Sequence, residues 1–408
     1  MRRAAWALLL GALALTGCAG TGGGFIQGPA HPLGSSGAGG ASNGAAHKVA
    51  LLLPLSGPDA GLGQAMRQAA ELALAVPGAP SLTVADSAGG NAAQAARGAI
   101  GAGGEIILGP LTVAETRAVA GPARSADVPV LAFTSDPSVA QPGLWPLGLS
   151  PLQQVRRLVA AARAEGRSRF VALLPDNGLG HAMAAALEKS TAEAGLATPT
   201  IRFHGAGMAA MTALVREVSD YADRRGPIDK QIREARDKGD RKTAAELARQ
   251  PIPPPPFDAL LLADTGEQLA EITSLLAYYD VDPPQVRLLG PALWASPRAR
   301  AGATLRGAWY AAPDPAARAA FVAAYQAKYG VAPPSLADLA YDAASLARVV
   351  AGEGGFHGDA LTRREGFLGA DGLLVLAPDG SVRRGLAVFR TNGAIVSPAP
   401  LRAGEAGS

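Results

Sequence analysis

The chain has 408 residues and a formal net charge of +3; 48% of the residues are hydrophobic and 17% are charged. This composition is typical of a globular protein and excludes an intrinsically disordered one, and so small a net charge does not favour nucleic-acid binding. A single cysteine excludes an internal disulfide, and the length exceeds what one hydrophobic core usually holds, so we expect two lobes stabilised by burial.

The amino terminus has the pattern of an export signal. Two arginines precede an apolar run over residues 4–15, which at about a dozen residues is too short to span a bilayer permanently. The run leads into LTGC, and small residues before a cysteine resemble the lipobox of bacterial lipoproteins. The resemblance implies that residues 1–17 are a signal peptide and that Cys18 is lipidated. The alternative is an ordinary secretory signal followed by an unrelated cysteine.

Residues 18–47 are mostly Gly, Ala, Ser and Pro, a composition that cannot bury enough apolar area to offset the entropy of ordering. We predict a flexible tether that spans roughly 100 Å when fully extended. The residue after Cys18 is Ala19 and not the aspartate that resembles an inner-membrane retention signal. The sequence therefore favours a periplasmic protein anchored to the outer membrane. Residues 398–408 are predicted to be a disordered tail.

Residues 48–149 alternate strands with helices. The series starts with the apolar run KVALLLP at 48–54, continues with an amphipathic helix at 61–76, and reaches the strand VPVLAF at 128–133. Such alternation is typical of a doubly wound, mostly parallel α/β sheet. The same alternation restarts after the Trp-Pro pair at 145–146, which indicates a second lobe.

Residues 221–256 interrupt the second series with a charged, proline-rich insertion. Nine Lys/Arg and six Asp/Glu occur at 221–250, and four consecutive prolines follow. Acid-before-base pairs four residues apart predict a solvated helix, but each pair stabilises a helix by only a few tenths of a kcal/mol. We expect either a marginal insertion without a role or an arm that docks a partner. The candidate partner contacts are Arg233, Arg236 and Arg241.

The end of the chain carries a hairpin signal. Strand-like runs at 372–376 and 384–390 flank an Asp-Gly turn at 379–380, and such turns join antiparallel strands.

The order of these segments resembles the type I periplasmic-binding fold of the leucine/isoleucine/valine-binding proteins. The matching segments are KVALLLPLSGPDAGLGQAMRQAAELAL, IILGPLTVAETRAVAGPARSADVPVLAFTSDPSVA, RFVALLPDNGLG, FVAAYQAKYGVAPPSLADLAYDAASLARVV and GFLGADGLLVLAPDG. The resemblance implies two lobes joined by three hinge crossovers, near residues 146–151, 311–315 and 366–372. It assigns residues 48–149 and 313–366 to the first lobe and residues 150–312 to the second lobe. Residues 367–397 would form a return hairpin of the second lobe.

A narrower group, the penicillin-binding-protein activator lipoproteins, fits the lipobox, the tether and the charged insertion. This resemblance implies a non-enzymatic activator of a peptidoglycan synthase. Some of these activators carry a helical-repeat domain before the binding fold, and this chain has the tether there. The alternative is a solute-binding receptor that supplies an ABC transporter with branched-chain or other amino acids.

The resemblance also implies a ligand site at the carboxyl ends of the strands, where open α/β sheets bind ligands. The lobe-one residues that fall where the receptors hold an amino acid's carboxylate and ammonium are Leu111, Thr112, Thr134 and Ser135. In lobe two, the carboxylates of Asp176 and Asp264 fall where that lobe would close over the ligand. The alternative is a degenerate cleft whose hydroxyls cap helices. A small amino-acid-like ligand and a synthase are thus the expected partners.

Catalytic motifs are missing from the sequence. Met66 stands where a dinucleotide-binding loop needs its third glycine, and neither a GxxxxGK[ST] loop nor a GxSxG elbow occurs. The five histidines lack metal-ligand spacing, and His181 and His204 are expected to be structural. We predict no enzyme activity, no catalytic residues, no metal and no cofactor.

Overall fold

The computed structural model of the chain describes residues 31–32, 47–205 and 207–400. The predicted signal peptide, the predicted lipidation site at Cys18, residues 401–408 and most of the predicted tether lie outside these residues. Within the tether, strand β1 (His31–Pro32) pairs in parallel with residues 367–368. This short part of the predicted flexible tether is therefore paired with the folded body.

The first series of elements forms a five-stranded parallel sheet in the order β3-β2-β4-β5-β6. Its elements are β2 (Lys48–Leu53), α1 (Ala60–Ala73), β3 (Ser81–Asp86), α2 (Ala92–Gly101), β4 (Ile106–Leu108), α3 (Val113–Ser125), β5 (Val130–Ala132) and β6 (Leu144–Pro146).

The second series builds most of a seven-stranded sheet. Its elements are α4 (Pro151–Ala164), β7 (Phe170–Pro175), α5 (Gly178–Glu193), β8 (Thr200–His204), α6 (Met208–Val218), α7 (Tyr221–Asp237), α8 (Arg241–Ala248), β9 (Ala259–Leu262), α9 (Gly266–Tyr278), β10 (Arg287–Gly290) and β11 (Trp309–Ala312).

The remaining elements return to both lobes. They are α10 (Pro315–Tyr329), α11 (Ala337–Gly352), α12 (Gly358–Leu361), β12 (Phe367–Gly369), β13 (Gly372–Leu376), β14 (Val382–Arg384), β15 (Ala387–Arg390) and β16 (Ile395–Ser397). The seven-stranded sheet has the order β16-β15-β11-β10-β9-β7-β8, and a four-stranded sheet has the order β1-β12-β13-β14.

Strand β2 shows why a continuous apolar run forms a central strand. Val49, Leu51 and Leu53 face a hydrophobic cluster with α1 and α11, while Ala50 and Leu52 face another with α2 and α3. All five side chains are fully buried, because helices cover both faces of a parallel sheet. The architecture is thus the two-lobed, mostly parallel α/β fold that the sequence predicts.

The chain crosses between the lobes at the first two expected places. Leu147 packs in the first-lobe cluster and Leu149 against a second-lobe cluster, so the first crossing lies within the predicted 146–151. The second crossing joins β11 to α10 at residues 313–314.

The third crossing differs from the expectation that it lies at 366–372 and that 367–397 belongs to the second lobe. Phe367, Leu374 and Leu376 pack in the first-lobe cluster with α11, and β13 pairs antiparallel with β14. The chain enters the second lobe only after β14, where β15 pairs antiparallel with β11. The reason is apolar burial, since β13 is buried along its whole length and its Leu374 and Leu376 pack in the first-lobe cluster.

Among residues 31–32, 47–205 and 207–400, no helix combines the length and apolarity needed to cross a bilayer.

Candidate functional site

A cavity of about 670 Å³ lies between the lobes, at the carboxyl ends of β4 and β5. The first lobe contributes the loops after these strands and the start of α11, and the second lobe contributes Ala292 and Ala295. The first two crossings supply the back wall, with Leu149 and Pro313 among its residues. The cavity occupies the position where open α/β sheets bind ligands.

Four of the six expected ligand residues line this cavity, namely Leu111, Thr112, Thr134 and Ser135. They are brought together because β4 and β5 are adjacent parallel strands whose following loops share one edge of the sheet.

Asp264, expected to close over a ligand, does not line the cavity. Its carboxylate is buried and lies 3.3 Å from His204 Nε2, and its carbonyl oxygen accepts a hydrogen bond from Trp294 Nε1 at 3.0 Å. Trp294 is fully buried against Gly290. The short segment that carries this tryptophan therefore covers Asp264 and presents Ala292 and Ala295 to the cavity instead.

Asp176 also lies away from the cavity lining. It is exposed, and its carboxylate lies 2.8 Å from His181 Nε2. The hydrogen bond that the His204 ring donates to the Asp264 carboxylate raises the pKa of His204, and burial opposes this rise. Both histidines thus pair with the two aspartates that the resemblance assigned to a ligand.

The polar groups of Thr112 are engaged within the chain. Its backbone N–H donates to Glu115 Oε2 at 3.0 Å and its hydroxyl donates to the same oxygen at 2.8 Å, while the hydroxyl oxygen accepts from the Glu115 N–H. Ser87 donates to the other carboxylate oxygen at 2.8 Å. The Glu115 carboxylate therefore occupies donors that a ligand carboxylate would need.

A cluster of charges beside the cavity, in which Asp338 is buried and its neighbours are half-buried, is absent from the sequence-based candidates. Arg318, Asp338 and Asp371 line the cavity, and Arg318 Nε donates to Asp338 Oδ2 at 2.5 Å. Burial raises the pKa of the Asp338 carboxyl group to about 7; the hydrogen bond from Arg318 opposes this rise, and the nearby Asp371 carboxylate adds to it.

Asp342 extends this cluster into the first-lobe core. Its fully buried carboxylate accepts hydrogen bonds from the N–H groups of Ala370 at 2.6 Å and Asp371 at 3.2 Å. Burial, together with the nearby Asp371 carboxylate, raises the pKa of Asp342 to about 8. Gly369 permits this approach, because a Cβ atom there would lie 2.4 Å from the Asp342 carboxyl group.

Arg384 connects the cluster to the hinge. It ends β14 at the third crossing, and its Nε and Nη2 donate to the carbonyl oxygen of Leu147 in the first crossing at 2.9 and 2.5 Å. Its Nη1 lies 3.6 Å from Asp371 Oδ2. One available sequence signal was the pair Asp338 and Asp342, two acids four residues apart in the mostly apolar α11, since buried acids are rare without partners.

The insertion forms a helical hairpin, α7 and α8, that we call the arm. Ile228, Ile232, Ala244 and Ile252 form a small buried cluster of its own. This cluster packs α7 against α8 within the segment where the sequence predicts a solvated, marginal helix. The three expected partner contacts, Arg233, Arg236 and Arg241, are exposed.

Arg224 fastens the arm to the body. The buried guanidinium donates to the carbonyl oxygens of Pro253 at 2.7 Å, Asp280 at 3.0 Å, Ser219 at 3.1 Å and Tyr279 at 3.3 Å. Burial lowers its pKa. The base of α7 is thus tied to the prolines that follow the arm and to the end of α9.

In the part of the chain that the structure describes, no group of three or more His, Cys, Asp or Glu side chains is arranged to hold a metal ion.

A family model described as periplasmic binding protein matches residues 46–365. A putative branched-chain amino acid ABC transporter from Rhodospirillum rubrum is 21% identical with a TM-score of 0.63, covering 86% of this chain and 100% of that chain. The C-domain of LpoA (YraM) from Haemophilus influenzae, a regulator of PBP1A, is 20% identical with a TM-score of 0.60, covering 86% of this chain and 99% of that chain. At these identities the similarity shows the fold.

Two further similarities are partial. Full-length LpoA from Haemophilus influenzae is 20% identical with a TM-score of 0.61, covering 87% of this chain and 59% of that chain. An uncharacterized protein of Rickettsia prowazekii is 26% identical over 179 residues, which are 43% of this chain and 48% of the relative. The chain therefore matches about half the length of that curated relative.

Proposed function

Because the chain belongs to the periplasmic binding protein family, we propose that it is a non-enzymatic lipoprotein that regulates a peptidoglycan synthase by direct contact. The observation that carries this proposal is the arm, an ordered helical hairpin with exposed arginines that is fastened to the body by Arg224. The fold shared with LpoA, which is described as a regulator of PBP1A, supports it.

The arm has the composition of a protein-binding surface. Arginine and tyrosine are enriched among residues that dominate binding energy. Beside the arm, Tyr278 is 73% exposed, and it packs edge-on against Tyr279, which in turn packs edge-on against Tyr221 of α7. The excess of basic residues at 221–250 favours a partner with an acidic surface.

We expect the triple variant Arg233→Glu, Arg236→Glu and Arg241→Glu to bind its synthase about 100-fold more weakly. Each reversal removes on the order of 1 kcal/mol of interface energy, and 1.4 kcal/mol corresponds to a tenfold change in affinity. Surface plasmon resonance against the periplasmic domains of peptidoglycan synthases measures this effect.

A matched control reverses three exposed arginines outside the arm, Arg97, Arg163 and Arg364, which makes the same change in net charge. This control should retain its affinity. Equal affinity of both triple variants and the unaltered chain would remove the arm from the proposal.

Lipidation at Cys18 is the second part of the proposal. Replacing Cys18 by alanine should move the protein from the outer-membrane fraction to the soluble periplasmic fraction, because acyl chains provide the anchor. Fractionation followed by immunoblotting measures the distribution. Recovery of the unaltered chain in the inner-membrane fraction would instead favour the receptor function.

The second candidate is a solute-binding receptor, which the cavity between the lobes favours. The engagement of Thr112 by Glu115 and the burial of Asp264 beneath Trp294 weigh against a receptor for α-amino acids. Leucine, isoleucine and valine should therefore produce no binding heat in calorimetry. A saturable signal with any of them would favour the receptor.

A further inference from the structure

The first lobe carries another cavity, of about 520 Å³, which we call the α12 groove. It lies between the end of α3, the segments that lead into β5 and β6, α12 and the turn after β13. Its apolar residues are Pro129, Leu144, Trp145, Phe356, Leu361 and Pro378. Because the parallel strands β5 and β6 begin here, the groove lies at the opposite end of the sheet from the cavity between the lobes.

The polar groups of the α12 groove do not favour a charged occupant. Its exposed titratable residues are Arg124, Asp127, His357 and Asp359, and two acids against an arginine and a histidine leave little net charge. The buried Trp145 already donates its Nε1 proton to the carbonyl oxygen of Ala377 at 2.7 Å. The groove therefore fits a neutral, apolar segment.

Strand β1 shows which part of the predicted tether is directed toward this groove. His31 pairs with Phe367, and the two strands are parallel, so the amino end of β1 points the same way as the residues that precede Phe367. Those residues are the end of α12 and the turn after it. Arg363 packs over the Phe367 ring at 4.6 Å, and its neighbour Thr362 lines the groove. The groove thus begins close to the start of β12.

The predicted tether has two large apolar side chains on the amino-terminal side of β1, Phe25 and Ile26. The other residues from 19 to 30 are Gly, Ala, Thr, Gln and Pro. Residues 27–30 cover about 17 Å when extended, a length that reaches past the start of β12 toward α12. The segment is uncharged, and the cavity volume lies within the range of about 300–1,000 Å³ that accommodates small ligands.

We propose that Phe25 and Ile26 of the chain's own tether dock in the α12 groove. The segment continues the strand that β1 adds to the edge of β12, and in such strand addition main-chain hydrogen bonds give affinity while side-chain pockets give specificity. Docking does not depend on lipidation or on the regulatory role of the arm.

One consequence of docking does rest on the proposed lipidation of Cys18. Docking leaves residues 18–24 between the anchor and the body, which span roughly 25 Å when extended, compared with roughly 100 Å for the whole tether. Docking and release of Phe25 and Ile26 therefore set how far the body reaches from the membrane.

Photo-crosslinking in the detergent-solubilised full chain tests the position of the segment. Phe25→p-benzoylphenylalanine keeps an aromatic side chain, and its crosslinks, mapped by mass spectrometry, should fall on groove residues of the same chain. Leu33→p-benzoylphenylalanine is the matched control. It follows β1 on the other side, so its crosslinks should fall near residues 369–372 and not in the groove.

The crosslinks separate the possible occupants. Crosslinked dimers would assign the groove to the tether of a second copy and overturn docking within one chain. Crosslinks from position 25 that are scattered over the body, or that reach the groove no more often than those from position 33, would also overturn the proposal.

A groove-filling variant gives an independent readout. Gly358 lines the groove, and a Cβ atom there meets no other atom within 4 Å, so Gly358→Trp fills the groove without a clash at the backbone. Chymotrypsin should then cleave after Phe25 at least tenfold faster than in the unaltered chain, because burial of one large apolar side chain changes an equilibrium roughly tenfold or more.

Gly101→Trp is the matched control for this variant. Gly101 is exposed at the end of α2, lies outside the groove lining and has equally open space around its Cβ position. Its cleavage rate should equal that of the unaltered chain. Equal rates of cleavage after Phe25 in all three proteins would contradict docking in the groove.

Discussion

Replacing Arg224 by alanine is expected to release the arm from the body and to lower the free energy of unfolding by about 3 kcal/mol. The guanidinium donates to four carbonyl oxygens that come from three separate places in the chain. Leaving a buried acceptor without a donor costs about 1–3 kcal/mol, and part of that cost is recovered where water reaches the carbonyl groups.

Hydrogen exchange shows which parts of the chain lose stability. Amides of α7 and α8 should exchange much faster in the Arg224→Ala variant, while those of the central strand β2 keep their protection, because local opening follows local contacts. The variant should also lose affinity for the synthase although Arg233, Arg236 and Arg241 remain present.

Arg224→Lys is the matched control. Lysine keeps the charge but lacks the planar guanidinium that donates to several separated carbonyl groups at once. The stability of this variant should therefore lie between that of the alanine variant and that of the unaltered chain. Unchanged exchange of the arm in the alanine variant would show that the small cluster around Ile228 and Ile232 holds the arm by itself.

The stability of the protein is expected to fall as the pH rises from 5 to 8. Burial raises the pKa of Asp338 to about 7 and that of Asp342 to about 8, against an ordinary value of 3.8. The folded state therefore holds protons that the unfolded chain has lost. The contribution is fully present below pH 3.8 and is lost as the pH rises through the folded-state values, with up to about 1.4 kcal/mol per pH unit for each group.

Other titratable groups change the stability outside the range from pH 5 to 8, or their contribution can be separated from that of the buried acids. Hydrogen bonds lower the pKa of Asp86, Asp240 and Asp379, and the stability that these acids contribute is lost only as the pH falls below their ordinary values. The pKa of His204 is raised, so its contribution also declines at high pH. A variant of Asp342 separates the buried acids from the histidine.

Asp342→Asn should flatten the pH dependence. An asparagine oxygen can still accept from the Ala370 N–H, so the variant should be close to the unaltered chain at pH 5. At pH 8 it should be more stable by on the order of 3 kcal/mol, because it has no buried charge beside Asp371. Urea unfolding at both pH values measures the difference.

The exposed Asp359 supplies the control, since Asp359→Asn should leave the pH dependence unchanged. An Asp342→Asn protein whose stability falls between pH 5 and 8 as steeply as that of the control would contradict a protonated Asp342.

Local sequence patterns were sufficient for the elements and their class. A strand buried on both faces needs a continuous apolar run, and the run over residues 48–54 has that pattern without reference to any distant residue. Alternation of strands and helices then implies a parallel sheet, and the composition of residues 221–256 marks an insertion. Adjacency of the β4 and β5 loops follows from the same logic, which is why Leu111, Thr112, Thr134 and Ser135 meet at the cavity.

Contacts between distant parts of the chain decided the third crossing and the chemistry of the cleft. Arg384 bonds to Leu147 across 237 positions, and no local pattern records that pairing or the third crossing that it accompanies. The bonds between Thr112 and Glu115 form a local capping box at the start of α3, whereas the hydrogen bond that Ser87 donates to the Glu115 carboxylate spans 28 positions. Burial against residues far away in sequence sets the charge state and availability of each side chain, so the chemistry of the cleft belongs to the tertiary structure.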